Sequence, residues 1–286
     1  MASSLGRRIT VAAVGIPVAF GTVYVGGWAL VALVAVLGVV GCAEFYRLSQ
    51  AGGARPLASL GLAAAAVFPI VTYLGVADLL TIPPAYGCGL AAVWILTVMA
   101  AGVVWRAPDA APLAAIAATV FGPVYTAGLP SFLLVLRHGA PDAPPLAATW
   151  LVFYPLAMTW ICDSAAMSGG AAFGGPKMAP VLSPQKTWSG AASGLAGALI
   201  TAVVYAVLAL APTGITLQVW QMLVLGATVG IFGQLGDLAE SLLKRSVGIK
   251  DSGTFFPGHG GVLDRLDSLY WVIPLSTLLM VAFGIL

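Results

Sequence analysis

Four aspartates stand in a chain that otherwise avoids charge. Asp163, Asp237, Asp264 and Asp267 lie in or beside long apolar runs, although only 8% of the 286 residues are charged. A carboxylate at mid-bilayer costs roughly 2.5–3.5 kcal/mol, so Asp163, Asp237 and Asp264 together would cost about 8–10 kcal/mol if simply additive. Their place nearer one membrane face lowers that sum. A water-filled cavity, a bound cation or opposite charges must still face them. The spacing supports one shared site. On a helix Asp237, Glu240, Ser241 and Lys244 follow i, i+3, i+4, i+7 and line one face, and Asp264, Asp267 and Ser268 follow i, i+3, i+4.

Carboxylates grouped without Cys or His partners favour a hard cation, with Mg²⁺ the default. Mg²⁺ typically takes one or two protein carboxylates and completes its shell with water and substrate phosphate. Lys177, Lys186, Lys244, Arg245, Lys250 and Arg265 surround these acids in the sequence. Six cations interleaved with carboxylates and glycines fit a site for several phosphates. Gly258, Gly260 and Gly261 would let backbone N–H groups converge on an anion just before a helix N-terminus. Blander accounts also fit parts of the pattern. Lys244 and Arg245 could be inner-leaflet anchors, and Asp267 a favourable charge at a helix start. Neither explains Asp237 or Asp163, which fall inside helices.

The elements that carry these residues follow from composition. The chain is 60% hydrophobic and its mean hydropathy is +1.02, whereas a soluble domain carries about 25% charged residues. Its main solvent must be lipid. A spanning helix needs about 20 apolar residues, and nine segments qualify: 9–25, 27–46, 57–77, 86–105, 112–136, 148–168, 190–211, 217–243 and 262–286. Glycine and proline clusters separate them. The expected fold is an all-α polytopic membrane protein of nine crossings, one domain over residues 1–286. Residues 1–147 would be mainly scaffold, and residues 148–286 would carry the site in a polar cavity open to the cytoplasm. The apolar run after Arg7 and Arg8 continues without a cleavage site, so it is expected to be a retained first helix.

Charge orients the chain. With the N-terminus inside, eleven of the 12 Lys and Arg fall on the cytoplasmic side and only Arg137 outside. His138, beside Arg137, is expected to be solvated. A net charge of +2 gives no reason to expect a nucleic-acid partner. Cys42, Cys88 and Cys162 sit in apolar stretches and are expected to be small buried hydrophobes. The segment 173–190, with three prolines, cannot continue a helix. It is expected to form a lid or wall presenting Lys177 and Lys186, or else a basic connector at the anionic leaflet.

The stretch SLLKRSVGIKDSGTFFPGHGGVLDRLD, residues 241–267, resembles the signature of the phosphatidate cytidylyltransferases, or CDP-diacylglycerol synthases. Ser241, Lys244-Arg245, Lys250-Asp251, Gly253, Phe256-Pro257, His259-Gly260-Gly261 and Asp264-Arg265-Leu266-Asp267 occupy its fixed positions. Upstream, DSAAMSGGAAFGGPKMAPVLSPQKTWSG from Asp163 is similar to a second block of that family. Met167, Gly175 and Ser189 depart from it, standing where the family often has an aromatic, a Lys and a Glu.

The resemblance implies transfer of CMP from CTP to phosphatidic acid, giving CDP-diacylglycerol and pyrophosphate. It implies an enzyme of the inner membrane that faces the cytoplasm and works as a homodimer. Under that reading Asp237 and Asp264 hold Mg²⁺, with Asp163 and Asp267 as further ligands and room for a second cation. Lys177, Lys186, Lys244, Arg245, Lys250 and Arg265 would hold phosphates, joined by Ser241 and Asp251. Asp237, Asp264, Lys186, Lys244 and Arg245 would be the catalytic set. His259, Gly260 and Gly261 would shape the nucleotide pocket, although His259 could instead only fix its loop. The alternatives are a cytidylyltransferase for another lipid phosphate, such as an ether-isoprenoid lipid, and an ion or phosphate transporter.

Overall fold

The computed structural model describes residues 2–81, 83–256 and 260–286, without the side chains of residues 2–12, 14, 84–86 and 88. His259 and Gly258 therefore lie outside the described residues, as do the side chains of Arg7, Arg8 and Cys88. In chain order the helices are α1 (Ala2–Val25), α2 (Gly27–Ala51), α3 (Ala58–Val76), α4 (Pro84–Trp105), α5 (Pro112–Pro123) and α6 (Phe132–His138). Then come α7 (Pro145–Phe173), the strands β1 (Lys177–Ala179) and β2 (Ser183–Thr187), α8 (Trp188–Tyr205), α9 (Val219–Ser246), α10 (Leu263–Leu266) and α11 (Leu269–Ala282). A π turn, Val124–Gly128, carries α5 toward α6, and another, Ala206–Leu210, extends α8.

Local sequence explains most boundaries. Pro84, Pro112 and Pro145 open α4, α5 and α7, where the missing N–H would have no helical partner anyway. Thr187 caps α8 by accepting the Gly190 N–H at 3.1 Å. Gln218 and Gln221 form a reciprocal capping box at the start of α9.

Six helical segments among the described residues are long and apolar enough to cross a membrane: Gly27–Ala51, Ala58–Val76, Pro112–His138, Pro145–Phe173, Trp188–Thr213 and Val219–Ser246. The apolar parts described for α1 and α4, Gly15–Val25 and Gly89–Trp105, are shorter. This is the architecture of a polytopic α-helical membrane protein.

Three local features differ from expectation. The segment after α7 is a two-stranded antiparallel hairpin, with Lys177 opposite Thr187 and Ala179 opposite Ser183. Prolines bar a helix there, yet two short strands that are both edges tolerate them. Segment 262–286 is broken at Asp267 and Ser268, because the Ser268 N–H turns to the Asp267 side chain at 2.7 Å. That leaves α11 as 14 residues, about 21 Å of helix. His138 is half-buried rather than solvated. Its Nε2 accepts the Gly27 N–H at 3.1 Å and its ring meets Tyr73 edge-on. Arg137 beside it is buried and donates to the carbonyls of Val23 and Tyr24 at 2.6 and 2.8 Å, capping the end of α1.

Small residues set how α8, α9 and the α10–α11 turn meet. Gly226, Gly230, Gly233 and Gly236 share one face of α9. A Cβ on Gly230 would come within 2.8 Å of Leu195, and one on Gly236 within 2.8 Å of the Asp267 carbonyl. Without side chains there, α9 lies close against α8 on one flank and the α10–α11 turn on the other. Asp237 is thereby carried next to Asp267. A second packing link reaches the scaffold: Leu263 and Tyr270 share a buried cluster with Cys42, Phe45 and Tyr46 of α2. Cys42 and Cys162 are buried free thiols.

Candidate active site

The four aspartates converge. Asp163 from α7, Asp237 from α9, Asp264 from α10 and Asp267 beyond it line one pocket of about 830 Å³, within the usual range for small-molecule sites. Lys177 and Lys186 of the hairpin and Arg265 line it as well. The hairpin is thus a wall of the pocket.

Lys186 and Lys244 each have a carboxylate partner. Lys186 Nζ lies 2.6 Å from Asp237 Oδ2, with about a quarter of the lysine and a third of the aspartate exposed. Lys244 donates to Asp264 Oδ1 at 2.7 Å and lies 3.3 Å from Glu240 Oε1. Glu240 itself is fully buried beneath the pocket. The stripe read on α9 therefore holds, but it divides: Asp237 faces the pocket while Glu240 and Lys244 sit under it.

Asp264 is the most constrained of the acids. Its Oδ2 accepts the Ser252 N–H at 2.9 Å, the Ser252 hydroxyl at 2.9 Å and the Gly261 N–H at 2.8 Å. Lys244 and the Ser252 and Gly261 amides together offset the cost of burying this charge. Of the glycines expected to meet an anion, Gly261 gives its N–H to Asp264 instead. Gly260 takes a left-handed conformation, φ 85°, and its carbonyl accepts the Phe256 N–H at 2.9 Å to close the loop.

Other expected residues stand apart. Ser241, Arg245, Lys250 and Asp251 do not line the pocket. Lys250 and Asp251 are exposed, and Arg245 donates to the Ile249 carbonyl at 3.1 Å, closing the end of α9. Two residues that drew no attention in the sequence matter to the geometry. Gln234 lines the pocket and donates to the carbonyls of Gly230 and Ala191 at 2.7 and 3.2 Å, tying α9 to α8. Glu44 of α2, only 2% exposed, accepts the Leu263 N–H at 2.9 Å and lies 3.3 Å from the Ser252 hydroxyl. Its one sequence signal was isolation: it is the sole acid before Asp78, set in an apolar helix.

The pocket's acidic donors suit a hard cation; among the described residues its lining includes neither Cys nor His. Among the described residues, no three acidic, His or Cys side chains gather around one point. The arrangement fits an ion held by one or two carboxylates and completed by water and phosphate rather than a closed protein cage.

A family model described as the Cytidylyltransferase family matches residues 6–283. The chain belongs to that family. Among relatives named phosphatidate cytidylyltransferase, the protein of Brucella suis is 46% identical over 146 residues, 51% of either chain. That of Staphylococcus haemolyticus is 40% identical over 130 residues and that of Bacillus subtilis 40% over 133. These two alignments each cover 46% of this chain and 48% of the relative. The chain thus spans about half the length of the relatives it matches. Of the stretch 241–267, Asp264, Arg265 and Asp267 line the pocket.

Proposed function

We propose that this cytidylyltransferase transfers CMP from CTP to phosphatidic acid, releasing pyrophosphate and forming CDP-diacylglycerol. The observation that carries the reading is the meeting of Asp163, Asp237, Asp264 and Asp267 with Lys177, Lys186 and Arg265 in one pocket among apolar helices. Both substrates are anionic, so cations are needed before they can meet at all. The relatives' shared name supports the choice of substrates.

In the proposed reaction a phosphate oxygen of the lipid attacks the α-phosphorus of CTP. A new P–O bond forms, the bond from the α-phosphorus to the bridging oxygen breaks, and pyrophosphate leaves with the electron pair. The nucleophile is already ionised, so no general base is required. Catalysis then consists of orienting two polyanions and neutralising charge around the α-phosphorus and the leaving group. Lys186 lines the pocket and would turn from Asp237 toward a phosphate oxygen, while Lys244 would act from under the pocket through its pair with Asp264. Arg265 and Lys177 stand at the same wall.

Mg²⁺, held by Asp237 and Asp264 with Asp163 and Asp267 beside them, would supply charge neutralisation for the phosphates, and a second cation has room in the same acidic lining. The reading further sets nine crossings, with the N-terminus and the pocket mouth on the cytoplasmic side of the inner membrane, where CTP is available. It also takes the working form to be a homodimer, as the family resemblance implies. Pyrophosphate release by the purified protein tests it. CTP with phosphatidate should give release that EDTA abolishes and that omission of the lipid greatly reduces. Release that ignores lipid and metal would exclude this reaction.

A further inference from the structure

Glu44 lies in the scaffold half, yet its donors come from the signature. A carboxylate 2% exposed is costly to bury unless donors meet it. Both donors reach Oε2 from around the start of α10: the Leu263 N–H at 2.9 Å and the Ser252 hydroxyl at 3.3 Å, 219 and 208 residues along the chain. The loop is packed on this carboxylate so closely that a Cβ on Gly253 or on Gly261 would overlap it. Those two glycines leave the space in which Glu44 sits.

Asp264 grips the same loop from the other side. It takes the Ser252 N–H, the Ser252 hydroxyl and the Gly261 N–H, all on Oδ2. The Ser252 hydroxyl has one hydrogen and two carboxylates in reach, whereas its N–H serves Asp264 alone. Glu44 and Asp264 are therefore joined through one serine and through amides two residues apart, at Gly261 and Leu263. Moving Glu44 must move the donors that decide which oxygen of Asp264 is tied back and which faces Lys244.

We propose that Glu44 is a positioning residue: it pins Ser252 and Leu263 and so sets the orientation of Asp264. The inference rests on the reading of the pocket as the cytidylyltransfer site with Asp264 toward the cation. Glu44 itself touches neither substrate nor cation.

The test compares purified full-length wild type, Glu44→Ala and Glu44→Gln, with Mn²⁺ as the probe followed by electron paramagnetic resonance. Beside it, the Mg²⁺ dependence of pyrophosphate release and thermal unfolding are measured. Glu44→Ala should weaken Mn²⁺ binding and raise the half-saturating Mg²⁺ by about 10- to 100-fold, with turnover recovering as Mg²⁺ rises. Glu44→Gln keeps an oxygen that can accept from Leu263 and Ser252, and should lose less than about ten-fold. A Glu44 that is only a packing element would lower the unfolding temperature without moving Mn²⁺ affinity per folded molecule. That result overturns the proposal. So does a Glu44→Gln protein as impaired as Glu44→Ala, because the charge and not the acceptor would then matter. Wild type that binds Mn²⁺ but releases no pyrophosphate defeats the proposed reaction, and the Mn²⁺ comparison still decides the role of Glu44. Wild type that binds no Mn²⁺ defeats both.

Discussion

Before Pro145 the polar side chains serve the backbone. Tyr46 donates to the Thr119 carbonyl at 3.0 Å, Arg106 to the carbonyls of Arg55 and Pro56, Thr126 to those of Gly38 and Gly122, and Arg137 to those of Val23 and Tyr24. After it, lysines also pair with carboxylates: Lys186 meets Asp237, and Lys244 meets both Asp264 and Glu240. The two kinds of bond have different consequences. A side chain on a backbone carbonyl fixes how two helices pack, and no ligand changes that. A lysine on a carboxylate is an arrangement that phosphate and a cation can exchange, each ion finding a new partner of opposite sign. The first half holds its shape, and the second holds charges ready to be redistributed. Glu44 is the point where the first half reaches into the second.

Substitutions should separate the halves, and the largest effect is expected at Asp264. Asp264→Asn should cut turnover about 100- to 1,000-fold while the protein still inserts and purifies normally. Near-normal pyrophosphate release in that variant would remove Asp264 from the metal. Lys186→Met deletes a cation that faces Asp237 and the pocket. It should lower kcat/KM for CTP by about 10- to 100-fold, with little change in unfolding temperature. An unchanged value would make that ion pair structural and blur the contrast drawn here.

Smaller effects should fall on packing. Gly236→Ala places a Cβ against the Asp267 carbonyl and should destabilise by about 1–3 kcal/mol. Activity should fall along with stability, because the same contact sets Asp267 beside Asp237. Tyr46→Phe should be mildest. It removes one buried hydrogen bond in the scaffold, worth about 1 kcal/mol, and should lower the unfolding temperature without shifting the Mg²⁺ requirement. A shift there would mean that scaffold bonds also tune the site.

The helices were legible because apolar runs bounded by Pro and Gly have few other outcomes in lipid. Six of the nine segments fall on helices long and apolar enough to cross a membrane, from Gly27–Ala51 to Val219–Ser246. The acids of the pocket were legible too, since Asp163 and Asp237 are conspicuous inside apolar runs. Features that depend on a single residue's choice of partner were not. Asp267 bonds the Ser268 N–H and breaks an apolar segment whose hydropathy gives no warning. The hairpin arises where proline only forbids, without saying what replaces the helix. Glu44 looked like one acid in a scaffold helix, because its donors lie more than 200 residues away. Gly261 was expected to meet an anion from outside and instead meets Asp264, three residues ahead of it. Spacing reports which residues share a face, while the destination of each N–H depends on packing that spacing does not contain.

The most direct test of the central claim follows the α-phosphate of CTP. Purified protein given Mg²⁺, phosphatidate and CTP labelled in its α-phosphate should move the label into chloroform-soluble lipid, while label in the γ-phosphate stays in water as pyrophosphate. Movement of the α-label into lipid should fail in Asp264→Asn. Lipid labelled from the γ-phosphate, or lipid left unlabelled by active wild-type protein, would contradict the account.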